Sequence, residues 1–437
     1  MHNKTQKVGL ITATSLVVGN MIGAGIYVLP ATLAGYGSVS LVGWVLSALG
    51  SIVLAKIFGN FSKIIVNKSG GPYTYTREGF GDFIAFLVAW GYWICLWVGN
   101  AAIVIAIISA LSFFFPILET NSVVAVVVGM GFIWFFSWIN SRGVKESGRI
   151  QVITTIMKLL PLVLIILIGA FMFDINNFPA FNLTGESNIS TIPLVATLTL
   201  YAFLGLECAT IPAENIKNPE KTVPKATILG TLITTAIYIL STIVLFGIIP
   251  VGVLKDSPAP FAEASKLIGG DYAGYFVAAG AAISAIGALN GWILISGQIP
   301  MATARDNLFP KIFKKENSKG APAVAIVIGS LLTSVVMLMN FSESLVDQFE
   351  IIILLSTFTA LIPYLFTAAS YALVIIAHRF DSPGKGKKVI LAGLGISYSI
   401  WAIFGSGEPT VFYGTLLLLM GIPFYILMEW NKKRRNE

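Results

Sequence analysis

From Val8 to about Leu29 the chain carries no charged side chain, and that run is long enough to cross a bilayer. Runs of similar length recur to the C-terminus. Windows of about 20 apolar residues place spans near 8–33, 38–63, 82–115, 122–140, 150–173, 190–213, 223–250, 271–303, 322–341, 350–377, 388–405 and 410–430, about twelve in all. Backbone in lipid has no water to bond to, so such runs form helices. Composition agrees: soluble domains are about 25% charged, whereas this chain is 11% charged and 56% hydrophobic. The expected fold class is an all-α polytopic membrane protein with one transmembrane domain over residues 1–437.

The first span is irregular at its centre, in Val17-Val18-Gly19-Asn20-Met21-Ile22-Gly23-Ala24-Gly25-Ile26. Glycine lowers the cost of unwinding a helix, and unwound backbone at bilayer depth persists only where it lines a cavity or ligand. Amides freed there, beside a half-helix N-terminus, can hold a carboxylate. The alternative is a small-residue motif for close helix packing.

Loop lysines and arginines set the orientation. With the N-terminus inside, the cytoplasmic side receives Lys63, Lys68 and Arg77; Arg142, Lys145 and Arg149; Lys217, Lys221 and Lys225; the Arg305–Lys319 and Arg379–Lys388 clusters; and the tail Lys432 to Arg435. The outside receives Lys255 and Lys266. The net charge of +7 belongs to these loops and carries no nucleic-acid reading. Lys4 and Lys7 lead straight into a full-length span with no cleavage-type motif, so an uncleaved first span is expected. The two cysteines, Cys95 and Cys208, suit neither a disulfide framework nor a zinc site. His2 and His378 stand near span ends, so neither metal nor cofactor is expected. No nucleophile–base pair is evident, which argues against an enzyme.

A second interruption lies in the sixth span, where Tyr201-Ala202-Phe203-Leu204-Gly205-Leu206-Glu207 puts a glycine and a carboxylate inside apolar sequence. Five spans separate the two interruptions, so five-span halves run in opposite senses. Broken helices at matching places in inverted halves point to a transporter site between them. The expected layout is a first repeat over 8–173, an inverted second repeat over 190–377, and two extra helices over 388–430. Gly405-Ser406-Gly407-Glu408-Pro409 reads as a tight outer turn. Tyr73 to Gly81 reads as a separate amphipathic piece on the cytoplasmic side, behind a break at Ser69-Gly70-Gly71-Pro72, and residues 382–386 form a basic loop.

Two ionisable residues lie within spans, and each is costly in lipid without a cavity or partner. Glu207 is either a gate or proton-responsive group, or a structural carboxylate held by neighbouring helices. Lys158 is either a fixed or proton-exchanging cation, or a lysine snorkelling to the cytoplasmic edge. Trp292 follows Asn290-Gly291 inside a span, away from the interfacial belts, where its π face could meet an ammonium or guanidinium. Tyr92, Trp97, Tyr201 and Tyr364 are either further site aromatics or core. Asn100 needs partners if buried, either a ligand or a neighbouring carbonyl.

In order along the chain, Lys7-Val8-Gly9-Leu10-Ile11, Gly19-Asn20-Met21-Ile22-Gly23-Ala24-Gly25, Leu29-Pro30, Ser69-Gly70-Gly71-Pro72-Tyr73, Phe203-Leu204-Gly205-Leu206-Glu207, Lys217-Asn218-Pro219, Val223-Pro224, Gly291-Trp292, Leu308-Phe309-Pro310 and Ile362-Pro363-Tyr364 resemble the amino acid–polyamine–organocation transporters. Within that family the likeness is to exchangers of the arginine/agmatine kind, and it covers nearly the whole chain. It implies that Gly23-Ala24-Gly25, flanked by Asn20 and Ile22, binds the substrate's α-carboxylate, with Ala24 where the family has serine. It implies that Trp292 stacks on the cationic end, with Asn100 and Ser356 near it and Cys95 and Leu96 along the stem. Tyr92, Glu207 and Tyr364 match an inner gate, and Trp97 with Phe349 an outer gate pair. Tyr201 stands where those exchangers have tryptophan and would cap a different pocket; Leu204 is left without a role. Lys158, absent from them, resembles a fifth-span lysine of sodium-independent, proton-coupled relatives.

The resemblance thus implies sodium-independent antiport of a cationic amino acid against its decarboxylated amine by alternating access. The setting would be a bacterial inner membrane with both termini cytoplasmic, serving acid resistance. The partners implied are the small-molecule substrate, the lipid bilayer and a second copy of the chain in a homodimer, with no nucleic acid. The alternative is proton-coupled amino acid uptake through Lys158. A receptor or ion channel is a third class, unsupported by any signalling domain or filter repeat.

Overall fold

The computed structural model describes residues 9–23, 25–65, 71–142, 148–208, 210, 216–339, 344–377 and 384–436. Ala24, Lys68, Lys145, the beginning of the Ser69–Pro72 break and the 378–383 loop fall outside them. The main helices are α1 (Leu10–Met21), α2 (Gly25–Tyr36), α3 (Val39–Ile64), α4 (Pro72–Ser112), α5 (Ser122–Ser141), α6 (Gly148–Gly169) and α7 (Asn188–Tyr201). They continue with α8 (Pro219–Ile248), α9 (Pro260–Arg305), α10 (Ala323–Met339), α11 (Leu345–Ile376), α12 (Lys385–Gly405), α13 (Glu408–Leu419) and α14 (Gly421–Asn436). Among the described residues, nine helical segments are long and apolar enough to cross a membrane, and the bent α1–α2 pair makes a tenth. The shorter apolar helices α7 and α10 occupy the two remaining expected spans.

Several boundaries differ from the hydropathy windows. The amphipathic Tyr73–Gly81 piece is continuous with α4 across a kink at Gly81, whose φ is +76°. A similar kink at Gly269 and Gly270 joins an outer helical stretch to α9. In the sixth span the helix ends at Tyr201 and the described residues just beyond it form turns, a change that hydropathy does not register. The tight turn at 405–409 is present, with Gly407 at φ +83° and Pro409 in the first turn of α13.

Burial sorts the helices. The most apolar window of α4 is 94% buried and that of α11 is 72% buried, whereas the window through α13 and α14 is 11% buried. Thus α4 is the centre, packed against α11 and α9, and the last spans turn large apolar side chains such as Phe404 and Phe412 outward, as lipid-facing helices do. Tyr73 donates to Asp306 at 2.8 Å and Arg77 reaches the same carboxylate at 3.3 Å, so the start of α4 and the end of α9 share one end of the bundle. At the other end Tyr36, the last residue of α2, donates to Glu350 near the start of α11.

Candidate functional site

The first break follows from α1's own residues. Asn20 turns its amide back to the Leu16 carbonyl at 2.7 Å, competing with the helical ladder. Ile22 leaves the helix at φ −81°, ψ +81°, and Gly23 bonds back only to Met21. The axes of α1 and α2 meet at 43°. Carbonyls in the last turn of a helix have no partner within it, and here two are met from outside. Lys158 Nζ donates to Gly19 O at 3.1 Å, and the Tyr238 hydroxyl lies 2.7 Å from Met21 O. On the α2 side, the N–H groups of Gly25, Ile26 and Tyr27 have no backbone acceptor among the described residues.

The second break begins after Tyr201. Phe203, Leu204, Leu206, Cys208 and Thr210 bond three residues back, a tightened path in place of α-helix. Gly205 turns it at φ +104°. A Cβ there would also stand 3.2 Å from Asn20 Cβ and 3.3 Å from the Trp292 ring, so the two breaks and Trp292 meet at this glycine.

Between them lies a cavity of about 530 Å³ of non-atom space, its mouth included. The first break contributes Asn20, Met21 and Gly23, the second Tyr201, Ala202, Leu204 and Glu207. Along α4 the wall is Tyr92, Cys95, Leu96, Gly99, Asn100 and Ile103, the three-and-four spacing of one helix face. Trp292 from α9 and Ser356 from α11 close the circuit. The Ser356 hydroxyl donates to Cys95 O at 3.1 Å and ties α11 to α4 beside the cavity. Asn100 is 2% exposed, and its Oδ1 is buried with no hydrogen-bond partner among the described residues. A bare acceptor at a cavity wall calls for a donor from whatever fills the space.

Glu207 is 1% exposed and forms the floor with two phenols. Tyr92 donates to its Oε1 at 2.6 Å and Tyr364 to its Oε2 at 2.8 Å. Above, the Tyr201 hydroxyl reaches Gly99 O at 3.3 Å, and its ring stands edge-on to Phe349 with centroids 5.9 Å apart.

The sequence-derived residues therefore divide. Asn20, Gly23, Cys95, Leu96, Asn100, Tyr201, Trp292 and Ser356 converge on the cavity, as does Leu204, for which the sequence suggests no role. Gly25 touches the site through Tyr201, whose ring would lie 3.2 Å from a Cβ at that glycine. Ile22 is fully buried in the core and does not line the cavity, and Tyr364 lies beyond the Glu207 floor. Phe349 stands edge-on to Tyr201, and Trp97 does not line the cavity. At ~100° per residue, Trp97 points roughly 130° away from the lining face of α4. Lys158 stays outside the cavity, 7% exposed, with its ammonium on the end of α1 and its carbonyl accepting from Tyr27 of α2 at 3.0 Å.

Nothing in the sequence motifs singles out Tyr238. It lies in register with Thr227, Thr231 and Thr234, all fully buried. That polar stripe along an apolar helix was the available signal. Among the described residues no cluster of three or more histidine, cysteine or acidic side chains could hold a metal ion.

A cavity between two broken helices, walled by a central helix, is transporter architecture. A profile described as amino acid permease matches residues 8–425. The chain belongs to that family. This permease is accordingly a multi-pass membrane transporter and not an enzyme. It is 35% identical to the putrescine transporter PotE of Haemophilus influenzae, over 99% of both chains. It is 31% identical to an arginine/ornithine antiporter of Pseudomonas aeruginosa, covering 96% of the permease and 90% of that protein. An arginine/agmatine antiporter of Chlamydia pneumoniae is also 31% identical, over 99% of the permease and 92% of that protein.

Proposed function

We propose that this permease exchanges a cationic amino acid for its decarboxylated amine, without sodium, by alternating access. The make-up of the cavity wall supports this most directly. Its described lining carries a carboxylate, Glu207, a bare amide oxygen on Asn100 and the Trp292 ring, and no lysine, arginine or histidine. Each of the three favours a positively charged, hydrogen-bond-donating ligand. The amides at the start of α2 offer a place for the α-carboxylate that an amino acid has and its amine product lacks. The likeness to antiporters of basic amino acids and to a putrescine transporter points the same way. In the exchange cycle Tyr201 and Phe349 close the site above, and Tyr92, Glu207 and Tyr364 close it below.

Sodium independence rests on Lys158. Its ammonium stands on the Gly19 carbonyl at the negative end of the α1 dipole, where a coupling cation would otherwise be stabilised. The same burial favours a second reading, proton-coupled uptake with Lys158 as the coupling group. We place the termini in the cytoplasm of a bacterial inner membrane from the basic loops.

The test is a binding panel of arginine, agmatine, ornithine, lysine, putrescine and neutral amino acids on purified protein, followed by counterflow in proteoliposomes. Binding confined to the cationic ligands and uptake that requires substrate on the far side are expected. Preference for neutral amino acids would overturn the cationic assignment. Uptake driven by a pH gradient without internal substrate, and lost in Lys158→Met, would select the symporter.

A further inference from the structure

Tyr238 sits fully buried on α8, facing both breaks. Its hydroxyl lies 2.7 Å from the carbonyl of Met21, the last residue of α1, and 2.9 Å from the carbonyl of Ala202, the first residue past α7. A phenol carries one proton, so two carbonyls from opposite halves of the molecule share one donor. The earlier residues on this face do not bridge the breaks: Thr227 and Thr231 donate to carbonyls of α8 itself, and Thr234, which also bonds within α8, reaches only the Met21 sulfur at 3.7 Å. The ring is fixed by Trp44 at 5.0 Å and Phe203 at 5.5 Å. Met21 and Ala202 both lie on the cavity wall.

From this geometry we propose that Tyr238 is a positioning residue that couples the two discontinuities. Its single O–H holds the end of α1 against the start of the second break and so fixes where the α2 amides stand relative to the rest of the cavity. The expected substrate effect rests on the reading of those amides as the carboxylate cradle. Loss of the hydroxyl shifts the cradle and leaves the cationic end of the site in place. An amino acid is then weakened, and its decarboxylated amine is not.

The experiment uses full-length purified protein and Tyr238→Phe, which keeps the ring. Without ligand, hydrogen exchange at the amides of Ile22 and Gly23 and at those of Leu204 and Leu206 should rise together, about tenfold. Thr231→Val, a hydroxyl deletion on the same face, should leave both segments at the wild-type rate. Unchanged exchange at either break in Tyr238→Phe, or equal loosening in Thr231→Val, overturns the proposal. Should Tyr238→Phe not fold, Trp44→Phe, which loosens the ring, is measured instead, with the same joint rise expected and the same overturning result. With ligand, the dissociation constant for arginine should rise about tenfold and that for agmatine less than twofold. Equal changes overturn the positioning role, since lowered stability alone moves both together. If the wild-type protein binds neither ligand, the cationic-exchange reading fails, and the exchange comparison at the two breaks still decides Tyr238.

Discussion

Replacing Trp292 by leucine keeps an apolar side chain at the cavity wall and removes its π face. The ring is 9% exposed and lines the cavity, so a cation bound there is largely desolvated. A cation–π contact under such conditions contributes up to about 2 kcal/mol. At 1.4 kcal/mol per tenfold, that corresponds to roughly 25- to 30-fold in the dissociation constant. The loss should fall alike on arginine and agmatine, because both carry the guanidinium and the ring has no part in holding a carboxylate. Trp292→Phe should recover part of the affinity, since phenylalanine offers a weaker face. Calorimetric titration of both ligands into wild type and the two variants reads the effect, with thermal unfolding run alongside to confirm folding. Wild-type affinity in Trp292→Leu would refute the cationic contact. A loss confined to arginine would move Trp292 to the carboxylate end of the ligand.

Tyr92→Phe and Tyr364→Phe each remove one of the two phenol donors to Glu207. Hydrogen bonds to charged groups contribute about 1.5–3 kcal/mol, so each variant should lower the unfolding midpoint. The double variant should lose about the sum, since the backbone amides of Gly205 and Glu207 still donate to the carboxyl; a loss well beyond the sum would mean that the phenols alone hold it. Gly205→Ala forces a side chain onto a backbone at φ +104°, costing roughly 1–2 kcal/mol, and drives its Cβ against Asn20 and Trp292. Folded protein with arginine affinity reduced more than tenfold is expected, and unaltered binding would show that the second break does not shape the cavity.

The spans were legible because lipid demands about 20 apolar residues per crossing, and the breaks were legible because glycine, asparagine and a carboxylate stand in the middle of such runs. The α4 wall was partly legible, since Tyr92, Leu96 and Asn100 follow helical spacing. The same spacing excludes Trp97, which a count of aromatics does not register. Tyr238 was missed for a physical reason. Its partners are the carbonyls of Met21 and Ala202, and a backbone oxygen has no signature in the sequence. Leu204 was passed over similarly, because whether an apolar residue faces core or cavity depends on how the turn after Tyr201 runs.

The enclosure of α4 has a consequence for what each side of the membrane can select. A helix whose most apolar window is 94% buried cannot slide without opening voids in its neighbours, so in the proposed exchange cycle the lighter half-helices beside the breaks would do the moving. In that proposed cycle, Asn100, Leu96 and Cys95 would act as a fixed ruler, read by a passenger arriving from either direction. Selectivity measured at the outer face should therefore match selectivity at the inner face, even where the two faces differ in affinity.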